Sequence, residues 1–496
     1  MDFLIAIVFL ALFVLRPQDW GAIFSGLQPV KLVMILAVAS LVFRKRSIGL
    51  RDFFRTPHDW ALLALFAWLV ITHPTPWTIF KQNVNLLVFY YFIVLTLNTR
   101  ERIEKFLGWW TALLVIVAAL ALAQYGGFDP FGSREITEFK MKGRLMLNLN
   151  IYNNPNALGH NLAPVLAMIY FFCCWKRPIL MKSIGWIALA LPLWAIYLTL
   201  SKGAFIAAAA TLMTSYTFGR PKYVQIIVIT IALVFGQIAL AKLPRMQELS
   251  QTKGNEAIAG RVAAFKHGLR CMENSWRGVG KDYFLPTFIK THRYNKSAHS
   301  GWVQYGSELG KTGLLFVLLF IWTGLRTLLF FQTDDPEKER LRRVLFVMLV
   351  AYCVSCWMID FGYKPQFFLF MAAIAALHRL HYGLAEEPEP EAEPVMPWRG
   401  RLVPVGSVVP APIGAPALAV VAGVENSAPV LKKAIPIAAL EPKSPVVRPA
   451  RIGKFAEEEV PAAKTFWNRV GLIDLAAAFL LFEVISRIWH HAVKNL

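Results

Sequence analysis

Long apolar stretches broken by short charged ones fill the first 380 or so residues of the chain. Twelve runs approach the length of a bilayer-crossing helix, at roughly 3–15, 28–43, 59–73, 84–97, 106–124, 157–173, 184–200, 203–218, 223–241, 313–331, 344–360 and 366–380. Several are short for a span, so their ends must extend into flanking residues. The opening "MDFLIAIVFLALFVLRP" has no basic n-region and no small-x-small site, which predicts a retained first helix. The pattern predicts an all-α, polytopic helical membrane protein with about twelve transmembrane helices and one large extracytoplasmic loop at 242–312.

Charge between the runs gives the expected orientation. "RKRSIGLRDFFR", "NTRERIEK", "KRPILMK", "GRPK" and "EKERLRR" are basic, whereas "HPTPWTIFKQN" and "DFGYKPQ" carry few cations. The positive-inside bias predicts a cytoplasmic N-terminus and a 242–312 loop outside. That loop holds 12 Lys or Arg and 5 Asp or Glu, but long loops escape the charge rule.

The pattern divides the chain into three parts. Residues 1–383 form the membrane domain. Residues 384–465, opening with "AEEPEPEAEPVMP", predict a disordered cytoplasmic linker. Residues 466–496 predict a C-terminal amphipathic helix. Asp474 and Glu483 interrupt its apolar run, which favours an interfacial or protein-bound helix over a thirteenth span. The tail reads as a tether, with a possible envelope-assembly partner.

Composition agrees with a membrane class: 56% of the 496 residues are hydrophobic, 17% are charged, and mean hydropathy is +0.48. The net charge of +21 fits basic loops touching anionic membrane lipids, not nucleic acid. Cys173, Cys174, Cys353 and Cys356 lie in or beside apolar runs, where cysteine acts as a small hydrophobe. Cys271 stands alone in the long loop and cannot close a disulfide within it.

No Walker A loop, HExxH or strand-to-helix GxGxxG is present, and no outer loop holds a DxD pair for a metal-bound sugar nucleotide. Neither a cofactor nor a metal is expected. Charged residues deep in the runs are few, and His160 is the one clear ionisable group inside one; a bond to a helix neighbour explains it better than a relay. Asp360 lies near a run's end.

The outer face is richer. "NNPNALGH" opens the sixth run with Asn154 as cap and Pro155 as first helical residue, which helix initiation alone explains. "LSKGAF" opens the eighth with Ser201 as cap and Lys202 in the first turn. A cation there is disfavoured by the helix dipole, so either Lys202 snorkels or an anion binds beside it. "AGRVAAFKHGLR" predicts a basic amphipathic helix, which could equally be a solvated face. "AHSGWVQYGSELG" could be a packing helix, with Gly306 and Gly310 as its small face. Three helix N-termini with Lys202 and Arg261 nearby suit a phosphate or diphosphate. An outward-facing enzyme has no ATP, so an energy-rich substrate would arrive on a carrier.

Five stretches carry a family resemblance: "GRLMLNLNIYNNPNALG", "LSKGAF", "GR" at 260–261, "MENSWRGVGKDYF" and "AHSGWVQYGSELGKTGLLF". In this order, over about residues 140–320, they resemble the O-antigen ligase and O-antigen polymerase superfamily of bacterial membrane glycosyltransferases. The resemblance implies a GT-C-like fold in the bacterial inner membrane. It implies transfer of a glycan from a polyprenyl diphosphate donor to a lipid, glycan or protein acceptor hydroxyl, with inversion and without metal. It implies His299 as catalytic residue and Arg261 and Lys202 as diphosphate ligands, with Asn154, Asn156, Ser201, Ser300 and Glu308 in support. Lys202 stands where the family usually has Arg, and Ser300 where it usually has Asn. A ligase is slightly favoured over a polymerase of the same superfamily. A lipid-linked glycan flippase is a further alternative, but its cationic path is missing from these runs; a scaffold acting through the proline-rich tail is another.

Overall fold

The computed structural model describes residues 1–20, 28–43, 49–231, 256–384 and 468–495. The first part of the expected outer loop and nearly all of the expected linker lie outside these residues. The regular structure among the described residues is helical throughout, with no strand.

The chain opens with α1 (Asp2–Leu15), α2 (Pro29–Val42), α3 (Pro57–Ile71), α4 (Pro76–Thr96) and α5 (Arg100–Ala123). Next come α6 (Pro155–Ile169), extended by a π-turn to Cys174, then α7 (Ile179–Leu198), α8 (Lys202–Thr217) and α9 (Lys222–Ile231). Then come α10 (Glu256–Asn274) and the short α11 (Phe284–His292). The rest is α12 (Gly301–Phe330), α13 (Pro336–Ser355), α14 (Pro365–His381) and α15 (Leu472–Asn495). Proline opens several of these helices because its missing N–H would be unpaired there anyway. Side chains of Thr56, Thr99, Asn154, Ser201, Ser300 and Asp335 cap helix starts, as short polar side chains next to apolar runs should.

All twelve apolar runs fall on helices, the ninth as far as Ile231. Among the described residues, five helices are long and apolar enough to cross a membrane: α4, α5, α6 with its extension, α7 and α12. The chain is a helical membrane protein. α7 turns Ile179, Leu180, Trp186, Ile187 and Trp194 outward, a face suited to lipid. α14 is buried nearly all round from Phe367 to Arg379, so it forms the centre of the bundle.

α12 departs from expectation. It starts at Gly301, well before the apolar run at 313, so the stretch expected to form the outer loop ends at Ser300. Trp302, Val303, Tyr305 and Leu309 are buried in protein, and the intervening Gln304, Ser307 and Glu308 dilute the apolar signal. Within the helix, Gly310 takes φ 71°, ψ −173°, which breaks the ladder. Three carbonyls ahead of the break are bonded from elsewhere. Val279 N donates to Ser307 O (2.9 Å), Gly280 N to Glu308 O (2.8 Å) and Trp68 Nε1 of α3 to Leu309 O (2.9 Å). The "WRGVGKDY" segment is thus a strap over the kink. Gly310 marks this break and packs against the strap backbone at Trp276 and Gly278, while Gly306 packs against Met272 and Trp489, so the two do not form one helix-packing face.

Buried charge is more abundant than the sequence suggests. Arg379 Nη2 pairs with Asp59 Oδ2 at 2.9 Å and Arg326 Nη1 with Asp474 Oδ2 at 2.5 Å, all four side chains being buried. Thr327 Oγ1 lies 2.9 Å from His378 Nδ1 and 3.3 Å from His58 Nε2, and His378 Nε2 lies 3.1 Å from Asn468 Oδ1. His160 is therefore not the one ionisable group inside the helices. The other members sit near the ends of their apolar runs, where sequence alone reads them as flanking. α15 packs against α12 and α10, with Trp489 fully buried.

Gly310→Ala tests the kink. Its Cβ would run into the Trp276 carbonyl, in a backbone region that alanine resists. A loss of roughly 2–4 kcal/mol is expected. Thermal unfolding in detergent should show a clearly lowered midpoint, and an unchanged midpoint would mean the strap does not depend on the break.

Candidate active site

His299 sits at the entry to α12. Its φ of 51° is left-handed, unusual for a side-chain-bearing residue. The turn is held on both sides. Ser300 Oγ caps α12 at Val303 N and donates to Cys356 O (2.8 Å), and Gly301 N donates to the same carbonyl (2.7 Å). Asp360 takes Ser300 N at 3.0 Å and is also hydrogen-bonded by His299 N and the Ser297 side chain. One half-buried carboxylate therefore fixes the backbone on both sides of the imidazole.

α10 faces this turn. Lys296 lies against Gly260, where a Cβ would come 3.3 Å from its Nζ, and Arg261 follows directly. Burial, then the Arg261 charge, then that of Lys296 push the His299 pKa down to about 4. The imidazole is thus neutral at physiological pH and able to accept a proton. Burial and Arg261 also lower the Lys296 pKa, because the two cations crowd each other.

A second corner forms where α6 and α8 begin. Leu200 has φ 46° and Ser201 follows as the α8 cap, as His299 and Ser300 do at α12. Lys202 is the first residue of α8. Arg144 bridges the corner: Nη2 donates to Asn156 Oδ1 (2.8 Å) and Nε to Thr199 O (3.0 Å). Asn154 Oδ1 accepts from Asn156 N at 2.8 Å, which makes it the helix cap expected.

His160 joins the two corners. Its Nδ1 is 3.0 Å from Ser355 Oγ of α13, so it does bond a helix neighbour. A Cβ on Gly203, next to Lys202, would lie 2.8 Å from His160 Nε2 and from Met358 Cβ. Arg261 acts electrostatically on both His160 and His299. An apolar cavity of about 40 Å³ lies behind, lined in part by His160, Asn161, Trp110, Tyr352, Lys364 and Gln366.

The structure brings His299, Arg261 and Ser300 together and places Lys202 beside the His160 contact. Glu308 points elsewhere: its Oε1 accepts from Asp282 N (3.0 Å), on the strap side of α12. Asn154 is an exposed cap. Sequence reasoning passed over Asp360, Arg144 and Lys296. The only signal for Asp360 was a carboxylate at a helix end, and Arg144 lay unremarked within "GRLMLNLN". Among the described residues, no group of three or more His, Cys, Asp or Glu is gathered as a metal site would need.

A helical membrane protein with a neutral histidine and several cations near helix starts suits chemistry on an anionic substrate. Residues 187–318 match the protein-family model described as O-antigen ligase. The resemblance read from the motifs is borne out over these residues, which include Lys202, Arg261 and His299. No curated protein matched the chain.

The depressed His299 pKa gives a pH test. The unfolded histidine, near 6.5, binds protons that the folded one refuses until about 4. This contribution to stability is complete above about 6.5 and is lost as pH falls towards 4. Unfolding midpoints from pH 7 to 4 should therefore fall less steeply in His299→Gln than in the parent. Arg261→Met should raise the His299 midpoint partway, burial being the larger cause; peptide-level carbethoxylation against pH measures it, and an unmoved midpoint would separate the two residues.

Proposed function

We propose that the protein is an O-antigen ligase-type glycosyltransferase of the bacterial inner membrane. It moves a glycan from a polyprenyl diphosphate to an acceptor hydroxyl on the extracytoplasmic side. The observation that carries this reading is the neutral His299 held beside Arg261 at the start of α12, inside the family-matched span. The N-terminus lies in the cytoplasm in this scheme, and the twelve apolar runs cross the membrane alternately.

His299 accepts the proton of the acceptor hydroxyl as its oxygen attacks the anomeric carbon. The carbon–oxygen bond to the diphosphate breaks and the polyprenyl diphosphate leaves with the electron pair. Direct displacement inverts the anomeric centre. Arg261 and Lys202 hold the diphosphate and stabilise the charge that develops on it. Arg144, which ties the α6 and α8 starts together, keeps Lys202 in place. Asp360 fixes the His299 turn and touches no reacting atom in this scheme. The scheme assigns no step to a metal, so transfer should persist in EDTA.

His299→Ala should lower glycan transfer by about 10²–10⁴-fold while the protein still inserts. Lys202→Arg should keep or raise transfer, because a guanidinium grips phosphate with two parallel bonds. Normal product from well-expressed His299→Ala protein would remove the histidine from the chemistry.

The acceptor separates ligase from polymerase. Purified protein given one lipid-linked repeat alone should leave it unextended, since a ligase needs a different hydroxyl. A ladder on a gel, absent with His299→Ala, would make the protein a polymerase with the same chemistry.

A further inference from the structure

We propose that α15 is a wall of the transfer site and that Trp489 is the positioning residue through which it sets α10 against α12. The inference rests on His299 and Arg261 being that site, and it departs from the sequence reading of the tail as a tether.

The indole of Trp489 has no solvent exposure. Its Nε1 donates to Phe265 O of α10 at 3.1 Å. Its ring lies in a slot left by two glycines on two helices. A Cβ on Gly306 of α12 would come 2.7 Å from Cζ3 and 3.1 Å from Cη2; one on Gly268 of α10 would come 2.5 Å from Val303 Cγ1 of α12 and 3.1 Å from Cζ2. Gly306 follows His299 by seven residues, and Gly268 follows Arg261 by seven. The ring is therefore wedged about two helical turns from each site residue, on the two segments that carry them.

A second anchor fixes α15 at its other end. Asp474 Oδ2 meets Arg326 Nη1 at 2.5 Å, and Asp474 Oδ1 accepts from Trp322 Nε1 at 2.9 Å. Removing either partner of a buried pair strands the other charge, so the helix resists sliding. Arg326 is near the end of α12 and Gly306 near its start, so α15 runs antiparallel along α12. Fifteen residues separate Asp474 from Trp489, a rise of about 22 Å. His490 Nε2 adds a contact to Glu273 Oε1 of α10 at 3.0 Å.

Indole against glycine backbone sets a helix separation that no smaller side chain would keep. The distance between Arg261 and His299 depends on that separation, and errors of about 1 Å in such geometry cost up to about a hundredfold in rate.

A double-mutant cycle in the full chain tests this. Gly306→Ala should clash with the ring and lower kcat about tenfold, and Trp489→Phe should lower it about threefold, each with KM within about twofold. The double variant should recover to within about threefold of the parent, because the shorter ring leaves room for the new methyl; independent sites would multiply to about thirtyfold. The rate of His299 carbethoxylation, read by peptide mass, should follow the same non-additive pattern. Should Gly306→Ala fail to fold, Trp489→Ala, which empties the slot, takes its place: lowered kcat with KM held and altered His299 labelling supports the proposal, and unchanged kcat and labelling overturns it. A multiplicative double variant with unchanged His299 labelling overturns the proposal. A parent chain that transfers no lipid-linked glycan would sink the functional reading, and the labelling cycle would still decide the role of Trp489.

Discussion

A backbone group in a membrane domain must find its partner inside the protein, and α12 breaks its own ladder at Gly310. The freed carbonyls of Ser307, Glu308 and Leu309 draw in Val279, Gly280 and Trp68. That requirement pins the 276–283 strap to α12 and binds α3 to the same turn. Because the strap joins α10 to α11, it also fixes where α10 emerges. Arg261 on α10 thereby meets a turn at His299 that Asp360 and Cys356 already hold. A break in one helix becomes the hub from which the candidate site is built.

Electrostatics follows from this scaffold. Helices α8 and α12 both begin with a left-handed residue and a serine cap, and α6 begins with an asparagine cap. Their starts add partial positive charge to that of Lys202, Arg144, Arg261 and Lys296. Burial first, then the charges of Arg261 and Lys296, keep His299 neutral. The proposed scheme uses this one arrangement both for an anionic substrate and for a proton acceptor. The opposing charges needed inside the bundle are kept as tight buried pairs, Asp59 with Arg379 and Arg326 with Asp474. There they join helices that are distant in sequence.

The amino-acid sequence by itself determined the membrane class, the positions of most helices and the resemblance that the family model matches over residues 187–318. Apolar run length, capping residues and N1 prolines act over a few residues, so they are readable one segment at a time. Motif order along the chain singled out His299, Arg261 and Lys202 as candidates for the same reason. Tertiary structure alone decided what depends on contacts between distant segments. Asp360 reads as an ordinary helix-end carboxylate until the fold lays it under residues 297–300. "GVGKDY" means little until its amides meet the broken end of α12. The tail helix looks like an interfacial amphipath, because Asp474 interrupts its apolar run. Only the fold supplies Arg326 to neutralise that charge and the Gly268–Gly306 slot to take Trp489. A buried charge or a bare glycine acquires its meaning from its partner, and the partner's distance along the chain is what hides it from sequence.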